Sequence, residues 1–176
     1  MGPNRQTMGA APYRGPVPAT SQPRMPGGVF LMGCHGGAGV TTLANLGLGT
    51  DAGWRRWPQV QVGPAGLLLV ARLSAWGMRT AAAAAETCLS PRMPHELRLL
   101  GLVVVAAEPG RRVPQLARER LDLVAGWVPA VYRMPWVALA LGVDPDNVAR
   151  CEPLHRAIPR ELIDLIHATT ATTRSS

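Results

Sequence analysis

The chain reads as an α/β domain built on a single doubly wound, mostly parallel sheet of about five strands. Three observations point there. Short apolar runs recur at Gly28–Cys34, Gly66–Arg72, Leu99–Ala107 and Ala130–Met134; where such a run has no polar alternation, it suits a strand covered on both faces. Segments of helical period or composition separate the runs. A glycine-rich turn follows the first of them, at the place where α/β units join strand to helix.

The elements follow in order. Residues 1–26 are rich in Pro, Gly, Ala, Gln and Ser, with no acidic residue and no apolar period. They are expected to form a disordered basic tail, and Arg5, Arg14 and Arg24 would make it a tether only if it met an anionic partner. A strand over Gly28–Cys34 leads through the glycine turn into a helix at Val40–Leu48, where Thr41 and Thr42 suit capping of free N–H groups. Residues 49–66 read as a loop, with at most a short edge strand in the alternating Gln59-Val60-Gln61-Val62.

The strand Gly66–Arg72 precedes a helix that Ser74 caps and that runs to about Leu89, with five consecutive alanines allowing close packing on the sheet. Pro91 and Pro94 turn the chain into the strand Leu99–Ala107, which ends in Glu108-Pro109-Gly110-Arg111-Arg112. The helix Val113–Gly126 has Leu116, Leu121 and Val124 as apolar positions, and Arg118, Glu119, Arg120 and Asp122 are set to pair on its solvated side. After the strand Ala130–Met134 come Pro135 and Trp136, a short turn from Asp144, and a helix over Pro159–Ala168 with Leu162, Ile163 and Ile166 on one face. Residues 169–176 are expected to fray, leaving one α/β domain over 27–168.

Composition bounds the function. A chain of 176 residues that is 47% hydrophobic and 16% charged suits one compact domain with a proper core. The net charge of +7 and the pI of about 10.9 raise the prospect of an anionic partner such as nucleic acid. All 18 basic residues are Arg, however, and a GC-rich genome accounts for much of that bias. Cys34, Cys88 and Cys151 are scattered, which argues against a disulfide framework or zinc site and fits a reducing cytoplasm. No apolar run approaches the roughly 20 residues of a membrane span, and no apolar region of signal-peptide type follows Arg5 and Arg14. A cytoplasmic protein is the expectation.

The glycine turn carries the most chemistry. Gly33-Cys34-His35-Gly36-Gly37-Ala38-Gly39-Val40-Thr41-Thr42 has the frame of a phosphate-cradling loop, in which glycines bring backbone N–H groups close to an anion at a helix start. It resembles the deviant phosphate loop of the ParA/MinD class of P-loop ATPases, which reads Lys-Gly-Gly-x-Gly-Lys-Thr-Thr. His35 and Val40 stand where that pattern has its two lysines. The resemblance extends over about residues 28–145 and to lysine-free actinobacterial sequences; outside the loop it is unspecific.

The resemblance implies a reduced P-loop NTPase-like fold, ATP with magnesium as the ligand, Thr41 as the magnesium ligand if nucleotide binds, and face-to-face homodimers. The family's apolar strand ending in a magnesium-ordering Asp is missing here. The nearest acid, Asp51, lies just after the first helix. A retained scaffold with no catalytic residue is therefore expected: a binding or regulatory protein acting through protein partners, with weak or absent nucleotide binding.

The ends of the strands gather Arg72, Glu108–Arg112 and Arg133–Trp136 on the same rim as the loop. Arg72 and Arg111 are candidate anion ligands in place of lysine, or partners of an acid such as Glu108. Trp136 either stacks on a base or plugs the core, the plug being favoured. His35 either touches phosphate or braces the turn. Cys34 is read as a small buried hydrophobe, although a helix start lowers a thiol's pKa where it is exposed. Three alternatives stay open: an active ATPase using Arg, a dinucleotide-binding protein, and a nonspecific nucleic-acid binder. Gly33, Gly36 and Gly39 also fit Gly-x-x-Gly-x-x-Gly, but the second strand, read near Val62, has no acid for a ribose, and a Tyr-x-x-x-Lys pair is impossible without lysine.

Overall fold

The computed structural model describes residues 28–60, 64–110, 112–138 and 142–174. The expected basic tail, the end of the Gln59–Val62 segment and Arg111 lie outside the described residues. Five strands, β1 (Val29–Gly33), β2 (Thr50–Trp54), β3 (Ala65–Arg72), β4 (Leu97–Val105) and β5 (Val131–Met134), form one sheet in the order β2-β1-β3-β4-β5. Every neighbouring pair is parallel.

The helices follow from that order. From β1 the chain moves outward to β2 through α1 (Val40–Asn45). From β3 it moves the other way, through α2 (Ala75–Cys88) to β4 and α3 (Gln115–Ala125) to β5. Parallel crossovers are right-handed, so opposite directions of travel require opposite faces. The burial divides accordingly. Phe30, Met32, Leu67, Leu69 and Leu102 pack with Met78 and Ala81 of α2 and Leu121 and Val124 of α3. The alternate residues Leu31, Leu68, Val70 and Val103 pack with Val40 and Leu43 of α1 and Leu162 and Ile166 of α5 (Arg160–Arg174). The chain is thus doubly wound, and β1 and β3 diverge at the switch point.

One irregularity in β4 keeps both faces apolar. Leu99 pairs with Leu67, but Gly101 pairs with Leu68, so Leu100 is an extra residue. Leu100 packs on the face of α1 and α5 and Leu102 on the face of α2 and α3. A bulge of this kind resets the side-chain alternation. Gly101 permits it: φ is +156°, and a Cβ there would lie 2.7 Å from the Ala130 carbonyl oxygen.

Three expectations need correction. Residues 50–54, read as loop, are strand β2. The Asp and Gly that suggest a turn are overridden by pairing with β1 and by burial of Ala52 beside it. Only Ala52 of this edge strand is buried, so no apolar alternation marks it. The helix after the loop ends at Asn45 rather than Leu48. The last helix α5 continues to Arg174, through residues expected to fray, and Thr169, Thr170 and Thr172 donate their hydroxyls to the carbonyls of Leu165, Ile166 and Ala168.

The remaining segment 142–158 folds as a 3-10 turn at Pro145–Arg150 and the short helix α4 (Glu152–Arg156). Val148 and Leu154 tuck under the sheet beside α1.

Candidate functional site

In an open parallel sheet the crevice forms where the crossovers part, outside the carboxyl ends of the strands. Here that point lies between the ends of β1 and β3. The Cys34 N–H donates to the Val70 carbonyl at 2.9 Å, carrying the β1–β3 ladder one residue past β1. The chain then leaves the sheet as the glycine loop. Gly37 has φ +72° and Gly39 φ +103°, left-handed values that a side chain rarely tolerates. Gly39 is the N-cap of α1.

The loop is held by its own side chains and by β3. His35 Nε2 accepts the Arg72 backbone N–H at 3.2 Å. This bond leaves Nδ1 as the protonated nitrogen, donating to the Gly36 carbonyl at 2.8 Å. His35 therefore braces the turn, one of its two expected roles. Arg72 Nε donates to the Gly37 carbonyl at 3.0 Å, so the guanidinium lies across the loop rather than against a carboxylate.

Arg72 is placed there by the start of α2. Ser74 caps that helix by accepting the Gly77 N–H at 3.0 Å, as the sequence led us to expect. Gly77 makes the junction possible, because a Cβ at this position would sit 2.0 Å from the Arg72 carbonyl oxygen.

On the other side of the loop, Thr41 Oγ1 donates to Asp51 Oδ2 at 2.8 Å, and Asp51 Oδ1 accepts the Gly53 N–H at 2.6 Å. The expected capping by threonine is absent: α1 has no side-chain cap hydrogen bond, because the Thr41 hydroxyl turns to the strand beside it. Asp51 is the functional candidate that the sequence reading passed over. Its position after a helix suggested a loop, and no apolar run marked β2.

Together His35, Thr41, Asp51, Trp54 and Arg72 line an open cleft of about 350 Å³ over the loop. Trp54 is exposed, with the Arg55 guanidinium 5.6 Å from its ring centroid. A second hollow of about 210 Å³ adjoins it, sharing Gly39, Thr42 and Arg72 and walled by Val105, Met134, Leu154 and Trp136. Trp136 is half-buried in that wall and does not belong to either buried core cluster. The favoured plug reading is corrected accordingly: Pro135 carries the chain off the end of β5, and the indole lies along the rim.

Three loop positions point inward. Val40 is buried against the core on the face of α1 and α5, as is Ala38. Cys34 is fully buried, and desolvation first, then the neighbouring Cys88, push its thiol far above the usual range. The hydrophobe reading holds and activation by the helix start does not.

The donors available for a cation are hard oxygens. The Thr41 hydroxyl spends its one proton on Asp51 and keeps its lone pairs, a combination that suits magnesium held partly by a ligand's own oxygens. Among the described residues there is no cluster of three or more His, Cys, Asp or Glu that would hold a metal alone. No helix among them is long and apolar enough to cross a membrane. No family model matches the chain, and a search of curated proteins finds no match to it.

Proposed function

We propose that this chain is a degenerate phosphate-loop domain, of the ParA/MinD type that its glycine loop resembles, with weak or absent nucleotide binding and no efficient hydrolysis, and that it serves as a binding or regulatory protein. One observation carries the reading: the two positions at which that loop type has lysines are both committed elsewhere. His35 spends both ring nitrogens on Arg72 and Gly36, and Val40 is in the core. Neither offers a charge to a phosphate. The frame remains, and with it the Thr41–Asp51 pair. A bound nucleotide would bring magnesium to Thr41, where the metal would neutralise phosphate charge; Asp51 would orient the Thr41 hydroxyl.

Two narrower readings each have an observation behind them. Arg72 lies across the loop and would supply charge in place of lysine. The order β2-β1-β3-β4-β5 is also that of flavodoxin-like doubly wound domains, and the strand after α1 does carry an acid, Asp51, contrary to the expectation from Val62. Asp51 alone favours a dinucleotide: this sheet order accompanies a flavin mononucleotide, whereas dinucleotide folds have the order 3-2-1-4-5-6, and Asp51 is already engaged by Thr41 and Gly53.

A thermal-shift titration with ATP, ADP and NAD(P), with and without magnesium, separates these readings. A ligand at 100 times its dissociation constant adds roughly 2.7 kcal/mol. The proposal expects weak or no shift with ATP and no phosphate release. A magnesium-dependent ATP shift lost in Gly39→Asp selects the arginine-assisted reading, and a shift with NAD(P) alone selects the dinucleotide. Robust ATP turnover that a Thr41 substitution abolishes overturns the proposal.

A further inference from the structure

Helix α3 presents two apolar faces, of which the described residues cover one. Ala117, Leu121 and Val124 pack on the sheet side. Leu116, expected to join them, is instead 47% exposed; Leu123 is 52% exposed and Trp127, just past the helix, 37%. At 100° per residue, Leu116 and Leu123 fall within about 20° of each other on an outward stripe, and Trp127 follows in the turn that closes the helix. An exposed Leu-Leu-Trp seam of this kind marks an interaction surface.

The charges along the seam say what covers it. Glu119 flanks it on one side and Arg120 on the other, about 100° apart. The pairing expected along this helix does not occur among the described residues: Glu119 accepts from Gln115 Nε2 at 2.8 Å, and Arg120 Nη1 donates to the Ala75 carbonyl at 2.5 Å. Neither is neutralised by an opposite charge there. We propose that a second copy of this chain docks on the seam, with the two α3 helices parallel about a two-fold axis.

Symmetry selects that arrangement. When the axis runs along the helices, opposite flanks meet, so Glu119 of each copy stands beside Arg120 of the other at nearly the same level, and the apolar stripes face each other. An antiparallel pairing brings like flanks together and sets Glu119 against Glu119 and Arg120 against Arg120, which is repulsive. Trp76, next to the Ala75 that Arg120 reaches on α2, is a further exposed aromatic, with the Arg79 guanidinium 5.8 Å from its ring. This surface is built on α3 and α2, away from the β1–β2 side of the glycine loop, and the inference does not depend on the loop's ligand.

The test is the mass of the full-length chain in solution by sedimentation equilibrium over a concentration series, with circular dichroism confirming the fold of each variant. The expected result is a dimer that Leu123→Glu weakens by roughly 30-fold or more, as loss of a central apolar contact does. Glu119→Arg and Arg120→Glu should each weaken it, and the double exchange should recover most of the affinity. A monomeric wild type overturns the proposal, as does a dimer indifferent to Leu123→Glu. A dimer that Glu119→Gln tightens overturns the parallel arrangement and selects the antiparallel one.

Discussion

His35 and Arg72 clamp each other: the imidazole Nε2 takes the Arg72 backbone N–H at 3.2 Å, while the Arg72 side chain returns to the Gly37 carbonyl at 3.0 Å. The end of β3 and the glycine loop are therefore one mechanical unit. Replacing His35 with Ala removes two bonds from a part-buried turn and should cost about 1–2 kcal/mol, at roughly 1 kcal/mol per hydrogen bond. The loop amides of Gly36, Gly37 and Gly39 should exchange faster with deuterium while those of β4 are unchanged. Unaltered loop exchange would mean that the glycines hold the turn without help.

Arg72→Ala separates charge from scaffold. Its described side-chain bond is to one carbonyl, so the stability change should stay near 1 kcal/mol. Binding of any phosphate-bearing ligand at the cleft should fall at least about tenfold, because charge-assisted bonds are the strong ones. Arg72→Lys should recover only part of it, since lysine keeps the charge but not the planar fork. Affinity for such a ligand that is equal in all three proteins would remove Arg72 from the site.

Gly77→Ala tests how the site is positioned. The added methyl would meet the Arg72 carbonyl oxygen at 2.0 Å, and the neighbour is backbone, which cannot swing away. Overpacking of this kind costs about 1–3 kcal/mol, a fall of several degrees in melting temperature for a chain of this size. The α2 start and Arg72 must move together, so the variant should also lose whatever ligand response Arg72→Ala loses. A melting temperature equal to the wild type would show that the junction yields at no cost.

Much of this was legible in the sequence, and the part that was not has a common cause. Unbroken apolar runs predicted β1, β3 and β4 because strands covered on both faces need no polar alternation. Ser74 predicted the start of α2 because its cap is local. β2 was lost because an edge strand with one buried residue, Ala52, carries no periodic signal, and with it went Asp51. The contacts of Thr41 with Asp51 and of Arg72 with Gly37 join residues far apart in the chain, and spacing alone does not report them. Leu116 shows the same limit on a helix, since 116 and 117 differ by one position and only tertiary packing decides which row faces the sheet.

The Thr41–Asp51 bond predicts a measurable coupling. Thr41→Val and Asp51→Asn should each destabilise by less than about 1.5 kcal/mol, since both residues are exposed. Their double-mutant cycle should give an interaction of at least about 0.5 kcal/mol, as directly bonded neighbours do. Asp51→Asn should also weaken any magnesium dependence of ligand binding, because the amide has one acceptor oxygen where Asp51 uses two, one for Thr41 and one for Gly53. Additive effects in the cycle would mean that the bond does not persist in solution.

The buried thiols predict an alkaline limit to stability. Burial raises Cys88 from 9.0 to about 12, and Cys34 is pushed higher by its own burial and by Cys88 beside it. A folded-state value above the unfolded one stabilises the protein fully below the unfolded value and ceases to do so as the pH rises towards the folded one. The window here opens at pH 9.0 and extends to about 12. Within it each thiol contributes a loss of up to about 1.4 kcal/mol per pH unit, because the unfolded chain ionises first. Urea unfolding from neutral pH into that window should show a flat stability below pH 9 and a decline above it, and Cys88→Ala should make the decline shallower. At neutral pH, iodoacetamide should label the half-buried Cys151 and leave Cys34 and Cys88 unmodified until denaturant is added. Labelling of Cys34 in the native protein would show instead that the loop opens to solvent faster than the chain unfolds.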